Sequence, residues 1–409
     1  MPIFREIPPT AGWPIRTKDL FSALSVQAGN NSLKNDFLNY LKVPYAQITY
    51  SGTSALYLIL ESLKVISDKK TIIIPSYVCP LVALAGLKAG LKVIYCDIAR
   101  NSFDYDYKQL QSICANNSDI LAIVAVHLAG IPAEISLLNE IASQSNIFVI
   151  EDCAQAMGAE YKGKPVGSIG DFSFFSLCRG KGLTIYEGGI IIAKDKNHGP
   201  TIAKTVEKLT KNNSASETLK ILELFGYWIF YRPLLFWYIF RLPESFWNLL
   251  GKPQRAAAEE YNTDFEVRLV SDYRSALAHI NFKKLSKCIL EQRQKARYFI
   301  DNLNSVSGVR ILTETNGSTA TYPYLTVIFD DPVKQKKALH LLRHLGLGAS
   351  QIYIKPINEY DYLKGRLSGQ TSANASFIAE KTITLTTNTF LRAKDAERII
   401  KLLKKIINQ

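Results

Sequence analysis

No two cysteines of this 409-residue chain are spaced CxxC, and no cysteine and histidine fall at a metal-ligand spacing. The six, Cys79, Cys96, Cys114, Cys153, Cys178 and Cys288, stand mostly within apolar runs, as small core residues do. That pattern implies no metal site and a reduced, cytoplasmic setting. The opening stretch "MPIFREIPPTAGWPIR" lacks an apolar h-region, so no secretory signal is expected. The chain also lacks repeats, low-complexity tracts and any basic motif interleaved with aromatics, so nucleic acid is not an expected partner.

What is present suits a large domain followed by a smaller one. Apolar residues make up 47% of the chain and charged residues 21%, enough for a sizeable core. A net charge of +13 fits nucleotide phosphates or an anionic membrane surface, or else a diffuse lysine excess. From residue 48, short runs rich in Ile, Val and Phe alternate with helical patterns. "TIIIPSYVCP", "LKVIYCDI", "ILAIVAVHLAG", "IFVIEDC" and "DFSFFSL" read as strands, and "AEISLLNEIASQS" as an intervening helix. Strands buried on both faces and separated by helices imply an α/β domain with a mostly parallel sheet, placed at 1–200.

Residues 263–409 read as a small α+β domain. A single long helix is expected from "RSALAHINFKKLSKCILEQRQKARYFIDNLNSV", followed by a strand at "TATYPYLTVIFDD" and two more helices. The linker 201–262 contains "LKILELFGYWIFYRPLLFWYIFRLPESFWNLLG", residues 219–251, with Trp228, Trp237 and Trp247. Glu223, Arg232 and Pro233 interrupt it, so it does not supply the roughly 20 apolar residues of a membrane span. Two short helices with aromatic and basic margins suit a membrane interface; a hairpin packed on a subunit partner suits it as well.

Three segments carry the chemistry. In "FSFFSLCRGKGLTIYEGGIII", Lys181 lies between an aromatic run and the pair Gly188–Gly189. It is not a P-loop lysine: Phe175 and Gly182 occupy the places of the first glycine and the Ser/Thr. No GxGxxG follows a strand either. In "VIEDCAQAMG", Asp152 ends a strand at the edge where α/β ligands bind; it fits either a partner for a protonated ring nitrogen or a helix N-cap. Gln155 lies about one turn on. In "YSGTSAL", Gly52 permits a tight turn, and Thr53 or Ser54 is expected to cap a helix whose N-terminus favours phosphate. A phosphate cradle, an acid and a lysine amine together are what pyridoxal 5'-phosphate requires, with Ser176 offering one more hydroxyl.

The order and wording of "SGTSAL", "PSYVCPLVALAGLKAGLKVIYCDI", "VHLAGIPAEI", "IEDCAQAMGAEYKGKPVGSIGDFSFFS" and "KGLTIYEGGIII" resemble the DegT/DnrJ/EryC1/StrS aminotransferases. The resemblance implies a fold-type I pyridoxal-phosphate enzyme, a homodimer, and amino transfer from a donor such as glutamate to a nucleotide-linked keto-sugar. A lipid-linked sugar, for cell-surface glycan, is a variant of that reading. By the same resemblance Lys181 matches the Schiff-base lysine, Asp152 the pyridine-nitrogen partner and Gln155 the residue beside the ring's 3-oxygen. Ser176 matches a phosphate ligand, and Thr53 and Ser54 the phosphate-binding helix start beside Gly52. Lysine at 181 argues against the branch that dehydrates sugars. Three departures stand out. Cys79 occupies the place of an aromatic stacking residue, with Tyr77 two positions before it. Arg268 substitutes for the asparagine that reaches the neighbouring subunit's phosphate. "TLTTNTFL" lacks the usual Leu-Pro and His-Pro wording. The alternative function is a non-catalytic pyridoxal-phosphate-binding regulator or scaffold at a membrane surface.

Overall fold

A computed structural model describes residues 4–25, 29–211, 214–262 and 264–409. Seven strands build the main sheet: β1 (Tyr45–Thr49), β2 (Thr71–Pro75), β3 (Lys92–Cys96), β4 (Ile120–Val126), β5 (Phe148–Asp152), β8 (Phe172–Ser176) and β9 (Gly189–Ala193). Two-residue strands β6 (Glu160–Tyr161), β7 (Lys164–Pro165) and β11 (Ser318–Thr319) form a separate small antiparallel sheet with β6 in the middle. The sheet order is β1-β9-β8-β5-β4-β2-β3, with β9 antiparallel to both neighbours and all other pairings parallel. Strands β2, β4, β8 and β9 are buried at every position, which is why they read as continuous apolar runs rather than alternating ones. The expected α/β architecture is therefore observed.

The second sheet is antiparallel, ordered β10 (Val309–Leu312), β12 (Tyr324–Phe329), β13 (Thr382–Thr386). It shares a core with Ile7 of the N-terminal arm and with the helices Leu285–Leu303 and Ala393–Ile407. The single long helix expected near residue 274 is two, Asp272–Phe282 and Leu285–Leu303, because the Lys284 N–H turns back to Asn281 O at 2.9 Å. The first packs in the large core with Phe37 and Leu41, and the second crosses to the small sheet. Each follows a different apolar surface, so the chain bends between them.

Residues 214–256 form helices at Ser214–Phe230, Pro233–Phe236, Leu242–Leu249 and Pro253–Ala256, with a π-helical turn at Trp237–Arg241. Pro233 begins its helix, where its missing N–H costs nothing. Among the described residues no helix is long and apolar enough to cross a membrane.

Candidate active site

The phosphate end of the site is set by local chemistry at the start of the helix Gly52–Ile66. The expected cap at Thr53 or Ser54 is instead Ser51, whose Oγ accepts the Ser54 N–H at 3.1 Å while Ser54 Oγ accepts the Ser51 N–H at 3.0 Å. Ser54 is thus fully buried and its hydroxyl belongs to the capping box. The Gly52 and Thr53 N–H groups remain as first-turn donors without intrahelical partners. A Cβ on Gly52 would stand 3.1 Å from Ser176 Cβ, so glycine keeps the space between helix start and strand end open. A Cβ on Gly189 would collide with the Ser51 carbonyl, which explains the glycine pair after Lys181.

Asp152 ends β5, and its Oδ1 accepts the Ala154 N–H at 2.9 Å. Burial raises its pKa above the ordinary 3.8, against the lowering pulls of that N–H and of the Lys181 charge. Lys181 follows β8, its own N–H bonded to Cys178 O at 3.2 Å. It lines one pocket with Gln155, Ser176, Gln292, Thr321 and Pro323. A half-buried Cys79 is close enough that the charges of Lys181 and Asp152 act on it, but burial dominates and pushes its thiol up to about 11. The structure therefore gathers Lys181, Asp152, Gln155, Ser176, Gly52 and Cys79.

Tyr77 is the exception. It is fully buried, stacks on Phe103 at 6.0 Å, and bonds the backbone of Tyr353, so it serves the core rather than a stacking face. Arg268 lies beside Tyr50, whose N–H bonds Arg268 O at 3.0 Å, and its guanidinium pairs with Glu266. It therefore sits near the helix start without reaching into the pocket of its own chain.

Sequence reasoning missed the partners of Gln155. Its Oε1 accepts the Ala129 N–H at 3.1 Å and the Tyr324 hydroxyl, while Nε2 reaches the Tyr353 hydroxyl at 3.5 Å. Both tyrosines come from the C-terminal half, where nothing in the local pattern announces such a contact. Also missed was the support behind Asp152. Among the described residues, His127, Glu151 and Cys153 bring three potential metal ligands together. Their bonds are already committed. His127 Nδ1 accepts the Ala133 N–H at 3.0 Å, leaving Nε2 to donate to Glu151 at 3.1 Å, and Glu151 also accepts the N–H groups of Gly167, Ile169 and Gly170. Burial pushes the Glu151 carboxyl up, but these donors outweigh it and hold its pKa below the ordinary range. The backbone N–H of His127 binds Asp152 O at 3.1 Å, so this network braces the strand end.

The sequence profile of the DegT/DnrJ/EryC1/StrS aminotransferase family matches residues 23–227 and 249–404. The chain belongs to this family. It is an aminotransferase, and its cofactor is pyridoxal phosphate. A UDP-4-amino-4,6-dideoxy-N-acetyl-beta-L-altrosamine transaminase of Campylobacter jejuni is 28% identical over 88% of this chain and 84% of its own length. A GDP-perosamine synthase of Escherichia coli O157:H7 is 36% identical over 40% of this chain and 44% of its own. Among solved structures, Helicobacter pylori PseC, an aminotransferase of pseudoaminic acid biosynthesis, superimposes with a TM-score of 0.77 at 18% identity, covering 99% of this chain and 100% of its own. The fold is that of these aminotransferases. The residues present also suit the cofactor: a helix start whose Gly52 and Thr53 N–H groups have no intrahelical partner, a glycine gap facing Ser176, and the buried carboxyl of Asp152 within reach of the Lys181 charge.

Proposed function

We propose that this aminotransferase moves an amino group from glutamate to a nucleotide-linked keto-sugar, or a lipid-linked one, in glycan biosynthesis. The observation that carries the site assignment is the convergence of Lys181, Ser176 and Gln155 on one pocket, with the Lys181 charge acting on buried Asp152. The named relatives that act on nucleotide-linked amino sugars support the acceptor class.

On this reading the Gly52 and Thr53 N–H groups and the Ser176 hydroxyl hold the cofactor's phosphate. Asp152 would keep a proton on the ring nitrogen, and the Gln155 amide would serve the ring's 3-oxygen. The cofactor, when bound, supplies an electron sink that makes the donor's α-C–H acidic. Lys181 Nζ would take that proton as general base and, in the second half-reaction, deliver one to the sugar carbon that receives nitrogen as general acid. Cys79 and the buried tyrosines exclude water beside it.

The proposed assembly is a homodimer in which Arg268, placed beside Tyr50, serves the neighbouring subunit's phosphate site. The proposed setting is the cytoplasm, against a membrane surface met through residues 219–251. Mass spectrometry of products from a panel of nucleotide-linked keto-sugars with glutamate tests the reaction. Aminated sugar with stoichiometric 2-oxoglutarate is expected, and turnover with no member of the panel overturns the acceptor class. Light scattering in solution tests the dimer.

A further inference from the structure

The helical segment 214–256 has two unlike faces. Inward, Lys220 pairs with Glu187 at 2.9 Å on the loop that follows Lys181, and Tyr227 meets Tyr186 edge-on at 6.2 Å. Tyr227 and Tyr231 stack at 4.4 Å, and Asn388 Nδ2 donates to the Tyr231 hydroxyl at 3.0 Å. Two buried acids and two half-buried bases pin the far end: Arg241 bonds Glu6 at 3.0 Å and Glu244, and Arg343 reaches Glu244 at 3.0 Å. The Glu6 N–H binds Pro233 O at 2.8 Å, and Phe4 packs edge-on against Trp237 at 5.0 Å. The segment is thus fastened to both domains.

Outward it is apolar. Leu234, Tyr238, Ile239, Phe246, Leu249 and Leu250 are all exposed, Leu249 to 85% and Leu234 to 66%. Exposed apolar side chains of this kind along one continuous helical run, 233–249, and its C-cap mark an interaction surface rather than an ordinary soluble face. Basic groups flank it. Arg232 is exposed and forms no ion pair among the described residues, and Lys252 and Arg255 lie over the Trp247 ring at 5.7 and 5.1 Å. Aromatic rings and cations bordering an apolar edge fit the headgroup region of a bilayer, and the chain's charge of +13 favours an anionic one. A second copy of the chain is the weaker fit: the family profile matches both flanks but passes over 228–248, so an assembly common to the family does not depend on this stretch.

We propose that residues 232–252 form a rigid docking edge that inserts into an anionic lipid surface and holds the active site at a set position above it. This rests on the membrane-side setting proposed above, but not on the identity of the amino acceptor. The test is flotation of the full-length holoprotein with vesicles of phosphatidylcholine, with and without phosphatidylglycerol. Binding to the anionic vesicles, weakened by salt, is expected, with loss of about ten-fold or more in the triple variant Leu234→Asp, Phe246→Asp, Leu249→Asp. Arg232→Glu with Lys252→Glu is expected to lower binding to anionic vesicles as well. Unchanged visible cofactor absorbance, melting temperature and turnover of soluble substrate in the triple variant separate loss of docking from loss of fold or of the aminotransferase site. Failure of the wild type to float with either vesicle overturns the proposal, as does equal flotation of the triple variant. A wild-type assembly that the triple variant dissociates, with neither protein floating, makes the edge a protein interface and overturns it too.

Discussion

Tyr77 and Tyr353 hold each other twice: the Tyr77 hydroxyl donates to the Tyr353 carbonyl at 3.0 Å and accepts the Tyr353 N–H at 3.2 Å. One residue follows β2 of the large sheet and the other precedes β13 of the small one, so the pair fastens the two halves of the chain beside Gln155. Tyr77→Phe would leave a buried N–H and C=O without their partner, at a cost of about 1–3 kcal/mol. Chemical denaturation is expected to show that loss, with the visible cofactor spectrum retained. A spectrum lost at unchanged stability would return Tyr77 to the cofactor itself.

Lys181→Ala is expected to abolish both the yellow cofactor absorbance and turnover, because among the described residues no other amine lines the pocket with Ser176 and Gln155. Asp152→Asn keeps the shape and the Ala154 N–H bond but removes the negative charge. It should retain cofactor while losing roughly 10²–10³ in kcat. Absorbance titration and steady-state kinetics separate the two outcomes.

Ser51→Ala removes the oxygen that caps the helix at the phosphate end. A loss of about 0.5–2 kcal/mol in stability is expected, together with weaker cofactor affinity, since the same first turn presents the Gly52 and Thr53 N–H groups. Thermal melts of apo and cofactor-loaded protein measure each part. Unchanged affinity would place the phosphate elsewhere.

Glu259 sets a pH dependence. It is buried, accepts the Tyr360 hydroxyl and the Ile354 N–H at 3.2 Å, and burial lifts its pKa from 4.5 to about 7. Between those values the folded chain keeps a proton that the unfolded chain has released. Its stabilising share is therefore complete below pH 4.5 and is lost as pH rises through 7. Glu6, also lifted to about 7 by burial, acts in the same direction. Melting temperature is expected to fall across this window in the wild type and to fall less in Glu259→Gln, whose amide oxygen still accepts both bonds. Parallel curves for the two proteins would remove Glu259 from the account.

The strands β2, β4, β5 and β8 were legible because burial on both faces writes an apolar run into the chain itself, and Asp152 was legible as the charge that ends one. Gly52 and Ser176 were legible as residue types suited to a phosphate. The cap at Ser51 was misplaced because three small polar residues within four positions, Ser51, Thr53 and Ser54, compete for one turn, and only the turn's geometry selects among them. Tyr77 looked available because nothing local reveals that Tyr353, distant in the chain, takes its hydroxyl.

By itself the amino-acid order determined the layered sheet, with Asp152 at the end of one strand and Lys181 just after another, since local propensity and burial periodicity act over a few neighbouring residues. Tertiary packing alone decided which side chains brace that pair: Tyr324 on Gln155, His127 and Glu151 behind Asp152, Lys220 on the lysine loop. Those contacts join residues far apart in the chain, and the hydrogen-bond geometry they satisfy exists only once both sheets and the helices between them are in place.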